Sequence, residues 1–248
     1  MRYTSATHIG KRKDNQDYTA SFHNQKDYLA VFLCDGLGGH QGGDVASEMA
    51  VSQLGYQWQH TSFERMDQKE FIQWIQQTIN QENDRIIEAS KKYRDLLGMG
   101  TTIVAAFFMA DGALVINVGD SRAYSYNGHT VCQLTTDHSL VEELEQTGEI
   151  TRDEAEKFVN QHLLTRSLGV EEEIIVDFYH LDYDDFESLL LCSDGLSNVV
   201  TMEEMLSIMS ADLSLNQQAQ ELIECALTNK GTDNITVSIV AQEVRSDD

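Results

Sequence analysis

Proline is absent from all 248 residues, where average usage of about 5% would give roughly a dozen. Proline-rich spacers are excluded, and Gly, Asn and Asp must make every turn. Basic residues are scarce as well: 17 Lys and Arg stand against 41 Asp and Glu, a formal charge of −24. A surface that acidic repels phosphate backbones and anionic lipid, so neither nucleic acid nor a membrane surface is expected as a partner. No window approaches the roughly 18 consecutive apolar residues of a spanning helix. Nor does a hydrophobic signal core follow Met1-Arg2-Tyr3-Thr4-Ser5. Cys34, Cys132, Cys192 and Cys225 show no CxxC spacing, and Cys34 and Cys192 each end an apolar run. Buried free thiols behave as small hydrophobes, which fits a reducing cytoplasm.

What is present is a core. Apolar residues make up 41% of the chain, too many for a disordered segment and enough to fill one large domain. No low-complexity tract or Gly/Ser linker divides it, so a single domain over 1–248 is expected. Apolar alternation or short apolar runs predict strands near 28–34, 102–109, 113–118, 123–126, 174–180, 188–192 and 235–240. Ala46, Ala50, Leu54 and Trp58 form one helical stripe, and Phe71, Ile75, Ile79 and Ile86 a second on 68–94. Shorter helices are expected at 139–146, 151–158, 202–209 and 216–227. Strands in runs and helices in pairs argue for an α+β fold of antiparallel sheets covered by helices, not for strict βα alternation.

Twice a buried apolar strand ends in Asp-Gly: Leu29-Ala30-Val31-Phe32-Leu33-Cys34-Asp35-Gly36 and Leu189-Leu190-Leu191-Cys192-Ser193-Asp194-Gly195. A carboxylate there sits on rigid backbone yet can leave the sheet, and the glycine leaves its carbonyl open to a ligand. Taken alone, the pair reads equally well as two unrelated β-turns. Other segments shift the balance. Gly119-Asp120 lies between two apolar strands, Asp233-Asn234 precedes the strand at 235, and Asp17 follows Asn15-Gln16. Carboxylates gathered without His or Cys select Mg²⁺ or Mn²⁺ over zinc, because those ions prefer oxygen shells and keep several waters. The glycine-rich run from Asp35 to Asp44 enters a helix, an arrangement able to hold an anion. It lacks the GxxxxGK[ST] pattern, which disfavours a nucleotide P-loop.

Eight short segments in order complete the pattern: Gly10-Lys11-Arg12-Lys13-Asp14-Asn15-Gln16-Asp17, Asp35-Gly36-Leu37-Gly38-Gly39-His40, Gly100-Thr101-Thr102, Gly119-Asp120-Ser121-Arg122, Thr136-Asp137-His138-Ser139, Leu164-Thr165-Arg166-Ser167-Leu168-Gly169, Ser193-Asp194-Gly195-Leu196 and Asp233-Asn234-Ile235-Thr236. Together they resemble the metal-dependent serine/threonine protein phosphatases of the protein phosphatase 2C type, in their compact bacterial form. The resemblance implies a four-layer αββα fold, a central antiparallel β-sandwich flanked by pairs of helices, with a small flap subdomain at about 139–161. It further implies that Asp35 bridges two metal ions, that the Gly36 carbonyl binds one of them, and that Asp194 and Asp233 complete the first. Asp120, with Asp194, matches a weaker third site; Asp17 acts mostly through metal-bound water, and Arg12 binds the substrate phosphate. Three positions depart from the pattern. Gln16 stands where many relatives carry Glu, Leu37 where animal members carry a histidine assigned as general acid, and Gln161-His162-Leu163 where a proline is usual. His40 is a nearby candidate for the acid, or a structural loop histidine.

The expected function is therefore hydrolysis of phosphoserine and phosphothreonine in proteins, with Arg12, Asp35, Asp194 and Asp233 as the catalytic set. A water activated between two Mn²⁺ or Mg²⁺ ions would attack phosphorus directly, with no protein nucleophile. Arg12 suits the phosphate because its planar fork donates paired hydrogen bonds and stays charged; without the motif it would read as an ordinary surface arginine. Arg122 is expected to pair with a cleft carboxylate, and Asp137 and His138 to serve in helix capping or structure. A cytoplasmic monomer opposing a Ser/Thr kinase is expected. The alternatives are a phosphoprotein-binding module of the same fold that has lost turnover, and a small-molecule phosphoesterase.

Overall fold

The apolar runs fold into strands because both of their faces are covered. The computed structural model describes residues 1–38, 42–63, 66–155, 158 and 163–243. One sheet has the order β1 (Arg2–His8), β11 (Ile235–Ala241), β10 (Ser188–Cys192), β7 (Arg122–Tyr126) and β8 (Val131–Gln133). The other runs β2 (Asp17–His23), β3 (Leu29–Leu37), β5 (Ile103–Phe108), β6 (Ala113–Val118) and β9 (Asp177–Leu181), with β4 (Gly100–Thr101) also on β3. Every pairing is antiparallel.

Alternation along β3 shows how the layers form. Leu29, Val31 and Leu33 point between the sheets, where they meet Val104, Val115, Leu189 and Leu191. Ala30, Phe32 and Cys34 point the other way, to α1 (Gly43–His60) and α2 (Gln68–Lys92), against Trp58, Ile75 and Ile79. Across the sandwich, Leu190, Cys192, Val237 and Ile239 pack under α6 (Met202–Met209) and α7 (Leu215–Thr228), against Met205, Leu222 and Ile223. The result is the expected αββα arrangement. With no proline to start a helix, side chains do so: Asp67 with Glu70, Thr201 with Glu204 and Ser214 with Gln217 form capping boxes on α2, α6 and α7.

Two expectations need correction. The strand expected from 174 begins at Asp177, because α2 takes the backbone before it: Asn80 Oδ1 accepts from the Ile174 N–H at 2.9 Å, and Gln76 Nε2 donates to the Ile174 carbonyl at 2.6 Å. Ser139, not Asp137, caps α3 (Leu140–Gln146), accepting from the Glu142 N–H. Asp137 instead takes a forked pair from Arg122, Nε to Oδ1 at 2.9 Å and Nη2 to Oδ2 at 2.6 Å. Helix α4 is described over Arg152–Ala155; residues 156–157 and 159–161 of the expected flap region, and His162 after it, lie outside the described residues. Among the described residues no helix is long and apolar enough to cross a membrane.

One buried acid plays no part in the cleft. The Glu82 side chain on α2 is fully buried, with Oε2 accepting from the half-exposed Arg85 at 2.5 Å and Oε1 unpartnered. Burial pushes its carboxyl from 4.5 up to about 7, against the pull of Arg85. The folded state thus holds a proton that the unfolded chain releases, so stability is lost as pH rises from about 4.5 to about 7. Glu82→Gln is expected to flatten that window and to raise Tm near pH 8 by about 2–6 °C. Thermal unfolding across pH checks it; an unchanged profile would show Glu82 ionised throughout.

Candidate metal centre

Strand ends bring the acids together. Asp17 opens β2 directly opposite Asp35 in the β2–β3 register, which places two carboxylates side by side on one face. Asp35 is fixed from several directions: its N–H donates to Thr102 Oγ1 at 2.9 Å, and its carbonyl accepts from the Thr102 N–H and Thr101 Oγ1, each at 2.9 Å. Asp194 follows β10 as the first residue of α5 (Asp194–Ser197), and its Oδ2 accepts from Asn198 Nδ2 at 3.1 Å. Asp233 lies just before β11, and Asp120 lies in the turn from β6 to β7. Asp35, Gly36, Asp120, Asp194 and Asp233 line one cleft of about 870 Å³, with Lys11, Arg12 and Lys13 also on its walls. Asp17 is absent from that lining and lies buried beneath it.

The electrostatics record this convergence. Burial, then the charges of Asp17, Asp194, Asp120 and Asp233, push the Asp35 carboxyl well above the usual range. Burial likewise raises Asp17 to about 6, with Asp194 and Asp233 adding to it against hydrogen bonds from Thr236 and Ser193. Asp120 rises to about 7 through burial and the neighbouring Asp194. Arg12 Nη2 donates to Asp233 Oδ2 at 2.5 Å, and that bond holds the guanidinium above its ordinary value.

Do these residues suit a divalent cation? The donors are all oxygens of carboxylates and main chain, the set that hard ions prefer. Asp17 Oδ1 is buried with no hydrogen-bond partner. A Cβ at Gly36 would lie 2.1 Å from the Gly43 carbonyl oxygen and 2.7 Å from that of Gln16, so only glycine lets the chain pass here beside the acids. Among the described residues no group of three or more His, Cys, Asp or Glu side chains is arranged as a ready-made metal site, so the fit rests on the type of donor and on the unpartnered Asp17 oxygen. The residues fit Mg²⁺ or Mn²⁺.

Sequence reasoning passed over the residues behind the acids. Ser193 Oγ donates to Asp17 Oδ2 at 2.7 Å and accepts from the Thr236 N–H at 3.0 Å, joining the two sheets under the cleft. Asn234 steadies the Arg12 loop: Nδ2 donates to the Ile9 and Asp14 carbonyls at 2.9 and 3.0 Å, and Oδ1 accepts from the Gln16 N–H at 2.8 Å. Both are quoted in the motifs, yet nothing in a linear sequence gives their partners. Leu37 lines the cleft and carries no proton to donate; His40 lies outside the described residues.

A cleft of this composition at the mouth of an αββα sandwich defines a protein built around divalent cations. The family follows from comparison: the sequence profile of the family described as protein phosphatase 2C matches residues 4–230. The chain belongs to that family and is a protein phosphatase. It is 41% identical to the serine/threonine phosphatase stp of Listeria monocytogenes over 233 residues, 94% of this chain and 92% of the relative. The serine/threonine phosphatase of S. agalactiae superimposes with a TM-score of 0.92 at 34% identity, covering 98% of this chain and 99% of that one. The catalytic domain of the phosphatase PstP, solved in complex with two manganese ions, gives a TM-score of 0.78 at 30% identity, with 96% of each chain covered.

Ser193→Ala removes the donor to Asp17 without touching the cleft wall. It is expected to weaken Mn²⁺ binding about tenfold, as loss of a supporting hydrogen bond commonly does. Calorimetric titration of Mn²⁺ into the chelator-treated protein checks this, and unchanged affinity would count against it.

Proposed function

We propose that this protein phosphatase hydrolyses phosphoserine and phosphothreonine in proteins at a two-cation centre of Mn²⁺ or Mg²⁺ held by Asp35, the Gly36 carbonyl, Asp194 and Asp233. Asp120 with Asp194 would hold a weaker third ion, and Asp17 would act through water. The observation that carries the reading is the meeting of Asp35, Asp120, Asp194 and Asp233 with Arg12 in one cleft. When bound, the cations lower the pKa of water and neutralise charge on the phosphoryl oxygens.

The chain's own residues do the rest. Arg12, flanked by Lys11 and Lys13, offers its fork to two phosphate oxygens and orients the ester. Its hydrogen bond to Asp233 ties the phosphate-binding group to a proposed cation ligand, so the two parts of the site are set in one frame. Leu164 and Val199 line the cleft and provide apolar surface beside the charged groups. No cleft side chain is assigned as nucleophile. A binding module without turnover is disfavoured, because Asp35, Asp194 and Asp233 are all in place.

The chain acts as one phosphatase domain, with a flap segment at about 139–161. It works as a monomer in the cytoplasm and opposes a Ser/Thr kinase. The four cysteines, all free thiols, support the reducing compartment.

Asp194→Ala and Asp233→Ala are each expected to lower Mn²⁺-dependent kcat on a phosphopeptide at least a hundredfold while circular dichroism stays native. Arg12→Ala is expected to raise KM about ten- to hundredfold, the loss of a charge-assisted hydrogen bond worth about 1.5–3 kcal/mol. Full activity after metal removal, or a trapped phosphoenzyme, would overturn the reading.

A further inference from the structure

The turn that carries Asp120 is held by a residue 18 positions further along the chain. Gly119, at φ +110°, precedes Asp120. Its N–H donates to His138 Nδ1 at 3.1 Å, and its carbonyl accepts from the His138 N–H at 3.0 Å. Residue 138 therefore engages both polar groups of Gly119, the ring with one and the backbone with the other. Asn117 Nδ2 adds a second donor to the same carbonyl at 3.1 Å. His138 is only 3% exposed.

An Nδ1 that accepts a hydrogen bond leaves the hydrogen of a neutral ring on Nε2. Nε2 lies 3.0 Å from Asp177 Oδ2 and donates to it. The other oxygen, Asp177 Oδ1, accepts from Arg166 Nη1 at 3.0 Å. Arg166 belongs to the stretch that returns from the flap. That stretch is itself tied to His138, whose carbonyl accepts from the Thr165 N–H at 2.9 Å; Ser139 and Leu164 form a bridge beside it. An unbroken chain thus runs Arg166, Asp177, His138, Gly119, Asp120. Burial and the Arg166 charge hold the ring below its ordinary value, against the opposite pull of Asp177, in keeping with a neutral imidazole.

We propose that His138 is a positioning residue for the weaker cation site: with its tautomer fixed by Asp177 and Arg166, it sets the Gly119-Asp120 turn and so the aim of the Asp120 carboxylate. The inference rests on Asp120 being a ligand of that site. A purely structural histidine would contribute to stability alone; a positioning histidine must change one cation affinity and spare the others.

Mn²⁺ titration of the full chain, followed by electron paramagnetic resonance and calorimetry with circular dichroism in parallel, separates these roles. Asp120→Ala should abolish the weaker binding event. His138→Ala should weaken that event about tenfold, the scale for a residue that orients a ligand, with the tighter events moved less than twofold. His138→Asn, whose side-chain oxygen replaces Nδ1 as acceptor for Gly119, should recover most of the loss; His138→Gln, which reaches toward Asp177 instead, should not. Asp177→Asn should weaken the same event severalfold and serves if His138→Ala fails to fold. Loss of the event in Asp120→Ala with unchanged affinity in the His138 and Asp177 variants would leave the ligand assignment standing and overturn the positioning role. Retention of the event in Asp120→Ala would remove the assignment and the proposal together. Weakening of every event alike would overturn the proposal as a general loss of structure.

Discussion

Like charge brought together out of bulk water is the constraint on which this molecule is organised. Asp17 and Asp35 are direct neighbours across two strands, and Asp120, Asp194 and Asp233 all press on Asp35. Carboxylates so placed either take up protons, as the raised values of Asp17, Asp35 and Asp120 indicate, or share positive charge. Arg12 supplies one positive group, hydrogen-bonded to Asp233. Arg12, even with Lys11 and Lys13 on the cleft wall, does not balance five acids, and the chain as a whole, at −24, offers little more. Divalent cations are what such a cleft is built to receive.

The acids can be held in that state because the backbone beneath them is rigid. Asp35 lies in β3 and Asp194 follows β10, strands buried along most of their length, and Asp35 is further fixed by Thr101 and Thr102. Beneath them Ser193 links β10 to Asp17 on the opposite sheet, and Thr102 Oγ1 lies 2.7 Å from Ser121 Oγ in the β6–β7 turn. These contacts are buried hydrogen bonds at sites where a missing partner would leave a desolvated polar group. The rigidity of the mouth comes from these bonds, while Asp17 Oδ1 beneath it is left without a partner.

How much of this was legible in the sequence depended on burial. Strands covered on both faces, such as β3, β6, β10 and β11, declared themselves as apolar runs, and their ends located Asp35, Asp120, Asp194 and Asp233. Strands β1 and β2 did not. Each lies at the edge of its sheet, where Arg2-Tyr3-Thr4-Ser5-Ala6-Thr7-His8 and Asp17-Tyr18-Thr19-Ala20-Ser21-Phe22-His23 meet water along much of their length and need no apolar pattern. The segment after Ile174 carried a strand-like pattern but gave its hydrogen bonds to Gln76 and Asn80, about a hundred residues earlier. Asp137 before a helix suggested a cap by local rules, whereas its partner Arg122 is settled by tertiary contact. Local chemistry was readable, and long-range pairing was not.

Assignment of the acids to the two sheets adds a last step. Asp17 and Asp35 belong to the β2–β3 sheet; Asp194 and Asp233 adjoin β10 and β11 of the other. Asp120 sits in the turn by which the chain crosses from β6 of the first to β7 of the second. Mutual repulsion among these groups acts to part the two sheets at the mouth of the sandwich, and a cation shared among them acts in the opposite sense. Binding free energy at the mouth is therefore also free energy of sheet association, since whatever binds the folded state and not the unfolded one stabilises it. The buried hydrogen bond of Ser193 to Asp17 resists the same parting without any ion. Cation binding and fold stability are in this way two readings of a single set of carboxylates, and the residues that hold the sheets together at this end belong as much to the chemistry as to the architecture.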